Sequence, residues 1–68
     1  MEITVGNFAK VPIFEDGGVE KLWFEVLFVD DVAGTFVGRC DNQPIAVTSV
    51  EYNENKEFKL NQIEAIIQ

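Results

Sequence analysis

The one cysteine of the chain, Cys40, lies in the stretch GRCDNQP, residues 38 to 44, between Arg39 and Asp41. A catalytic thiol acts as its thiolate, which needs a general base or a fixed positive charge beside it. There is no histidine to serve as that base. Arg39 is the adjacent cation, but neighbouring side chains on a strand point to opposite faces, so it turns away from the sulfur. Cys40 is therefore expected to be a small buried hydrophobe on the face of Phe36. The acid pairs Asp30-Asp31 and Glu15-Asp16 could hold a hard cation or divide acid and base roles. No D-x-[DN]-x-[DN]-G loop accompanies them, and a chain of 68 residues has little room for a dry pocket that would shift their pKa values. They are better read as turn formers and as charges that discourage edge pairing. Without histidine neither a Ser-His-Asp set nor a Cys/His zinc site can be assembled. Gly34 and Gly38 make no phosphate loop, and Gly38 instead suggests close backbone packing or a bulge. The expectation is a protein that is not an enzyme and uses no cofactor or metal.

The elements that would position these residues are strands. Short runs of Val, Ile, Phe and Thr alternate with clusters of Gly, Asn, Asp and Pro, and no helical periodicity of useful length occurs. Ile3 to Val5 is expected as a short first strand. Phe8 to Phe14 is a second apolar stretch, with Pro12 making it an edge strand or a loop. Glu15-Asp16-Gly17-Gly18 is a turn. Lys21 to Asp30, KLWFEVLFVD, is the central strand. Leu22, Phe24, Val26 and Phe28 share one of its faces, and Trp23, Glu25, Leu27 and Val29 share the other. Both faces are largely apolar, which a bulge in a strongly bent strand would explain. Asp31 to Gly34 turns into a strand over Thr35 to Cys40, with Phe36, Gly38 and Cys40 facing one way. Asp41 to Pro44 is expected to turn the chain into a short strand over Ile45 to Thr48, continuing loosely through Ser49 to Tyr52. Asn53 to Asn55 forms another turn, because Asn tolerates the left-handed region. Lys56 to Leu60 alternates with Phe58 and Leu60 inward. Asn61 to Ile63 is expected as a 3₁₀ turn, and Ala65 to Ile67 as the last strand.

Together these make an all-β domain, a small SH3-like antiparallel barrel of five to six short strands with a 3₁₀ turn before the last strand. Residues 1–68 form one domain, with 1–20 an N-terminal strand and loop segment and 21–67 the barrel core. No disulfide can staple it, so apolar side chains, 47% of the chain with six Phe, must form the core. Net charge is −7, from twelve acids against five bases. That balance opposes direct nucleic-acid binding and an anionic membrane surface; it permits attraction to basic partners or mimicry of a polyanion, and reads first as a charged, soluble surface. No run approaches the roughly 18 apolar residues of a membrane span. The opening MEITVGNFAK has no leader pattern, and a cytoplasmic location is expected for a chain with a free thiol.

From Trp23 onward the order is W-F-E-V, V-D-D, G-T-F-V-G-R-C-D-N-Q-P, I-A-V, a polar turn, E-F-K-L and Q-I-E-A-I. This resembles YegJ-like bacterial small domains of unknown function and their immunity-type relatives, over about residues 21–67. The matching residues are Trp23, Glu25, Val26, Phe36, Gly38, Asn42, Pro44, Phe58 and Ile63. Leu27 and Phe28 stand where those domains usually carry polar residues. Asn53-Glu54-Asn55-Lys56 replaces their Gly-Asp turn. The resemblance implies a strand-and-turn frame and brings no active site.

The apolar residues exceed what so small a core can hold. Trp23, Leu27, Phe28 and Val29 compete for space with Leu22, Phe24 and Val26, while Phe8, Ile13 and Phe14 add to the load. The surplus must be exposed, covered by residues 1 to 14, or buried against another chain. The protein-binding surface is therefore expected at Trp23, Leu27, Phe28 and Val29, with Asp30 and Asp31 setting charge preference. The expected function is a non-enzymatic protein-binding module, with a homodimer through the Trp-containing strand or a sheet edge among its forms. The alternatives are an acidic phage or mobile-element inhibitor that mimics nucleic acid, and an immunity-type protein that binds a toxin.

Overall fold

The computed structural model describes residues 2–68. The fold is all-β. Five strands, β1 (Phe8–Glu15), β2 (Gly18–Asp30), β3 (Thr35–Cys40), β4 (Asn55–Lys59) and β5 (Ala65–Ile67), form one antiparallel sheet in the order β4-β3-β2-β1-β5. A 3₁₀ turn over Leu60–Gln62 separates β4 from β5, one residue earlier than the sequence predicts. β4 and β5 lie at opposite edges of the sheet and do not pair, so the expected barrel is an open, curled sheet.

The curl follows from β2. Its first part pairs with β1, from Gly18 opposite Glu15 to Glu25 opposite Phe8. Its last part pairs with β3, from Phe24 opposite Cys40 to Asp30 opposite Thr35. A bulge between Val26 and Phe28 shifts that second register. One extra residue there bends the strand and exchanges its faces. Leu22, Phe24 and Val26 point into the core, yet Phe28 emerges into solvent and Val29 packs against the core. The expectation that Phe28 shares the Leu22 face is corrected by this single residue.

The β1–β2 hairpin turns on Asp16 (φ 52°) and Gly17 (φ 80°), the two positive-φ residues of a tight Asp-Gly loop. The sheet extends past the expected strand start: β2 begins at Gly18, and β1 supplies Ala9, Val11 and Ile13 to the core. Residues 8–15 and 18–20 are thus strands of the packed sheet. Pro12 is tolerated because β5 reaches only Phe8 to Lys10, leaving the rest of β1 as an edge. The expected strand over Ile3 to Val5 is not formed. Asn7 Oδ1 accepts from the Thr4 amide (2.9 Å) and hydroxyl (3.1 Å), which folds this segment into a turn. Gly6 and Asn7 then bond Val26 across the sheet, and Ile3 packs on the core.

The core is aromatic at its centre. The Phe24 and Phe58 rings meet edge-on at 4.8 Å between centroids, and Phe36 lies 5.7 Å from Phe58. Such pairs add about 0.5–1.5 kcal/mol each beyond the area they bury. Gly38 makes room for them: a Cβ there would sit 2.7 Å from the Phe24 Cβ and 3.1 Å from Phe36 Cε2.

The chain from Asp41 to Glu54 is a long connection, and the expected turn at Asp41–Pro44 and strand over Ile45–Thr48 are not present. Its amides bond side chains in place of a neighbouring strand. Glu20 accepts from the amides of Ile45, Ala46 and Val47, at 2.9 to 3.1 Å. Glu15 accepts from the amide and hydroxyl of Thr48 and the amide of Ser49. Glu15 and Glu20 continue the inward parity of Val11-Ile13 and Leu22-Phe24, past the point where apolar residues run out. Two carboxylates thereby clasp the loop, which lays Val47 and Val50 over the core and leaves Ile45 in solvent.

Candidate protein-binding face

Side chains on the other parity of β1 and β2 form the outer face of the sheet. Register places Ile67, Phe8, Glu25 and Arg39 in one row, and Ala65, Lys10 and Trp23 in the next. Phe28 lies opposite Val37, which in turn lies opposite Glu57. Ion pairs brace this face: Arg39 to Glu25, Lys21 to Glu64 at 2.9 Å and Lys10 to Glu64 at 3.7 Å. The Lys10 ammonium also stands 5.5 Å from the Trp23 ring centre. Lys21 and Lys10 hold the Glu64 carboxyl below its usual range.

The six residues singled out by sequence are brought to one strand and its turn but do different work. Trp23 and Leu27 are half-buried on the outer face, and Phe28 is 58% exposed. Val29 faces inward, so the bulge removes it from the outer set. Asp30 shapes the turn: its Oδ1 accepts from the amides of Val32 (3.1 Å) and Ala33 (3.0 Å), and its carbonyl accepts from Gly34 (φ 74°). Asp31 is exposed on that turn. Beyond Val26, whose amide and carbonyl bond Asn7 and Gly6, β2 has β3 on one side and no backbone partner on the other among the described residues. Leu27 to Asp30 is therefore an open strand edge with Phe28 beside it.

Cys40 is fully buried between β2 and the loop, with its thiol 3.2 Å from the Asn42 carbonyl that accepts from it. Burial pushes its pKa up, and the charges of Asp41, Glu54 and Glu20 act in the same direction. Arg39 points to the opposite face, toward Glu25. This arrangement keeps the sulfur protonated and out of reach. Among the described residues no three His, Cys, Asp or Glu side chains group as metal ligands, and no helix is long and apolar enough to cross a membrane.

Sequence reasoning missed a second feature of this face. Phe8, Trp23, Asp41, Asn42 and Ile67 line an open hollow of about 200 Å³. The β3 end is fixed there by a two-bond clamp: the Asp41 amide donates to the Trp23 carbonyl at 2.8 Å, and the Trp23 amide donates to Asn42 Oδ1 at 2.6 Å. Nothing in local spacing links residues 8, 23, 41 and 67. The hollow exists only once β5 returns beside β1. No family profile, curated protein or solved structure matches the chain.

Proposed function

We propose that the protein is a non-enzymatic protein-binding module that works through the outer face of β2 and its open edge at Leu27–Asp30. The observation that carries this reading is Phe28, more than half exposed beside a strand edge that has no backbone partner among the described residues. A large aromatic in water next to unpaired backbone groups is what strand addition uses: the edge supplies hydrogen bonds and the aromatic supplies an apolar anchor. The partner is a polypeptide, and a second copy of this chain is the first to test, since pairing two β2 edges would give a self-complementary contact.

The nucleic-acid mimic is less well supported. Glu15, Glu20, Glu25, Asp30, Glu54 and Glu64 are all engaged in hydrogen bonds or ion pairs within the chain. A phosphate-like row needs free carboxylates, and half of the twelve acids are thereby withdrawn. The immunity-type alternative is a special case of protein binding and differs only in the partner. The test is Phe28→Asp, compared with the parent chain in solution mass and in capture of host proteins. The reading expects the variant to lose self-association or a captured partner while remaining folded.

A further inference from the structure

Resting on the reading of this face as a protein-binding surface, we propose that the hollow between Phe8, Trp23 and Ile67 is a seat for a lysine side chain of the bound polypeptide, with Asp41 as its counter-charge. The walls are two aromatic rings and one aliphatic side chain, and the polar residues are Asp41 and Asn42. Asn42 Oδ1 is already committed to the Trp23 amide. The Asp41 carboxylate accepts no hydrogen bond and forms no ion pair with the described residues, although its backbone is held by Trp23. It is thus a positioned acid without a cation.

The bases of this face do not supply one, since Arg39 pairs with Glu25 and Lys21 with Glu64. Lys10 lies over Trp23, and its ion pair is with Glu64. Its position does show what the indole attracts: an ammonium near a Trp face gains from the ring quadrupole. A purely apolar guest would cover the Asp41 carboxylate and leave it unpaired, which is costly. An anion would meet Asp41 and a chain of net charge −7. A lysine matches both parts of the site, its methylene stem against Phe8 and Ile67 and its ammonium toward Asp41 and the indole. Lys10, whose ammonium already stands by the indole, is the precedent for lysine; arginine is the competing guest, because the two coplanar oxygens of one carboxylate match its planar fork, and the titration below separates the two.

The test uses three capped peptides, acetyl-Gly-Gly-X-Gly-Gly-amide, with X lysine, arginine or norleucine. They are titrated into the full chain while the Trp23 indole and backbone amides are followed by NMR. Trp23 is the single tryptophan, so its signal is unambiguous. The lysine peptide is expected to shift Trp23, Phe8, Asn42 and Ile67 saturably. It should bind roughly fivefold or more tightly than the norleucine peptide, the size of an exposed cation–π contact plus a surface charge pair. Asp41→Asn keeps the backbone clamp and should weaken lysine binding roughly twofold or more, the share of the charge pair, while the indole contact remains. Equal binding of lysine and norleucine, tighter binding of arginine, or an unchanged affinity in Asp41→Asn would each overturn the assignment. Shifts confined to residues 27–37 would overturn it while leaving the wider protein-binding face standing. No shift with any peptide would overturn the lysine seat alone, since the face as a whole is judged by Phe28→Asp.

Discussion

Replacing Gly38 with alanine adds one methyl group at the most crowded point of the sheet. The new Cβ would lie 2.7 Å from the Cβ of Phe24, an atom anchored to the backbone of β2, and 3.1 Å from the ring of Phe36. Neither neighbour is the free end of a flexible chain, so β2 and β3 must move apart. Forcing a methylene into a packed core costs about 1–3 kcal/mol. Alanine recovers about 0.4–1 kcal/mol by stiffening the unfolded chain, because Gly38 does not use a positive φ. The net loss is then about 1–2 kcal/mol, which for so small a domain lowers Tm by roughly 5–15 °C. Total stability is only about 3–10 kcal/mol for a chain of this length, so the change is readily measured. Gly18→Ala is the control: its Cβ meets only the Glu15 carbonyl at 3.7 Å, an ordinary contact, and no loss is expected. Thermal and urea melts of the two variants settle the matter. A Gly38→Ala protein as stable as Gly18→Ala would refute the packing described for β2 and β3.

Acid should weaken the fold through the loop clasp. Amides of Thr48 and Ser49 hold the Glu15 carboxyl below its usual value, and amides of Ala46, Ile45 and Val47 do the same for Glu20. A depressed folded value stabilises the fold above the ordinary glutamate value of about 4.3, and that stability is lost as pH falls through the lower folded value. Urea midpoints at pH 6 and pH 3 should therefore differ more for the parent than for an E15Q/E20Q double variant, and an equal difference in both would contradict the clasp. Native Cys40 should react with a thiol reagent at neutral pH only as fast as the protein opens, and rapid labelling without denaturant would contradict its burial. Truncating Phe36 to alanine should cost about 3–5 kcal/mol, a large share of the total stability, and a urea midpoint close to that of the parent would contradict its place at the centre of the core.

The sheet was largely legible because its signals are local. Asp16-Gly17 announces a tight hairpin, alternation places Phe36 and Cys40 inward, and Ala65 to Ile67 is the last strand as predicted. Non-local bonding defeated the same reasoning between Pro44 and Thr48. Ile45, Ala46 and Val47 look like a strand, but their amides are taken by Glu20 on another hairpin, and no spacing rule connects residue 20 to residues 45–47. The bulge at Leu27 is intermediate in kind. Two apolar faces hint at a switch in parity, and only the register with β3 shows where it falls. The candidate site divides similarly. Trp23 and Phe28 stand out by size and type, whereas Asp41, Phe8 and Ile67 meet only through the closing pairs of β5 with β1 and of Trp23 with Asp41.

The most direct test of the proposed binding face is sedimentation of the parent chain and Phe28→Asp across a wide concentration range, followed by capture of host proteins with each. Phe28 is 58% exposed in a strand, so the substitution should cost about 1 kcal/mol, well short of unfolding the chain. Two folded proteins that differ in association are expected: a concentration-dependent dimer or a retained partner for the parent, and neither for the variant. Two folded monomers that retain the same partners in the same amounts would contradict it.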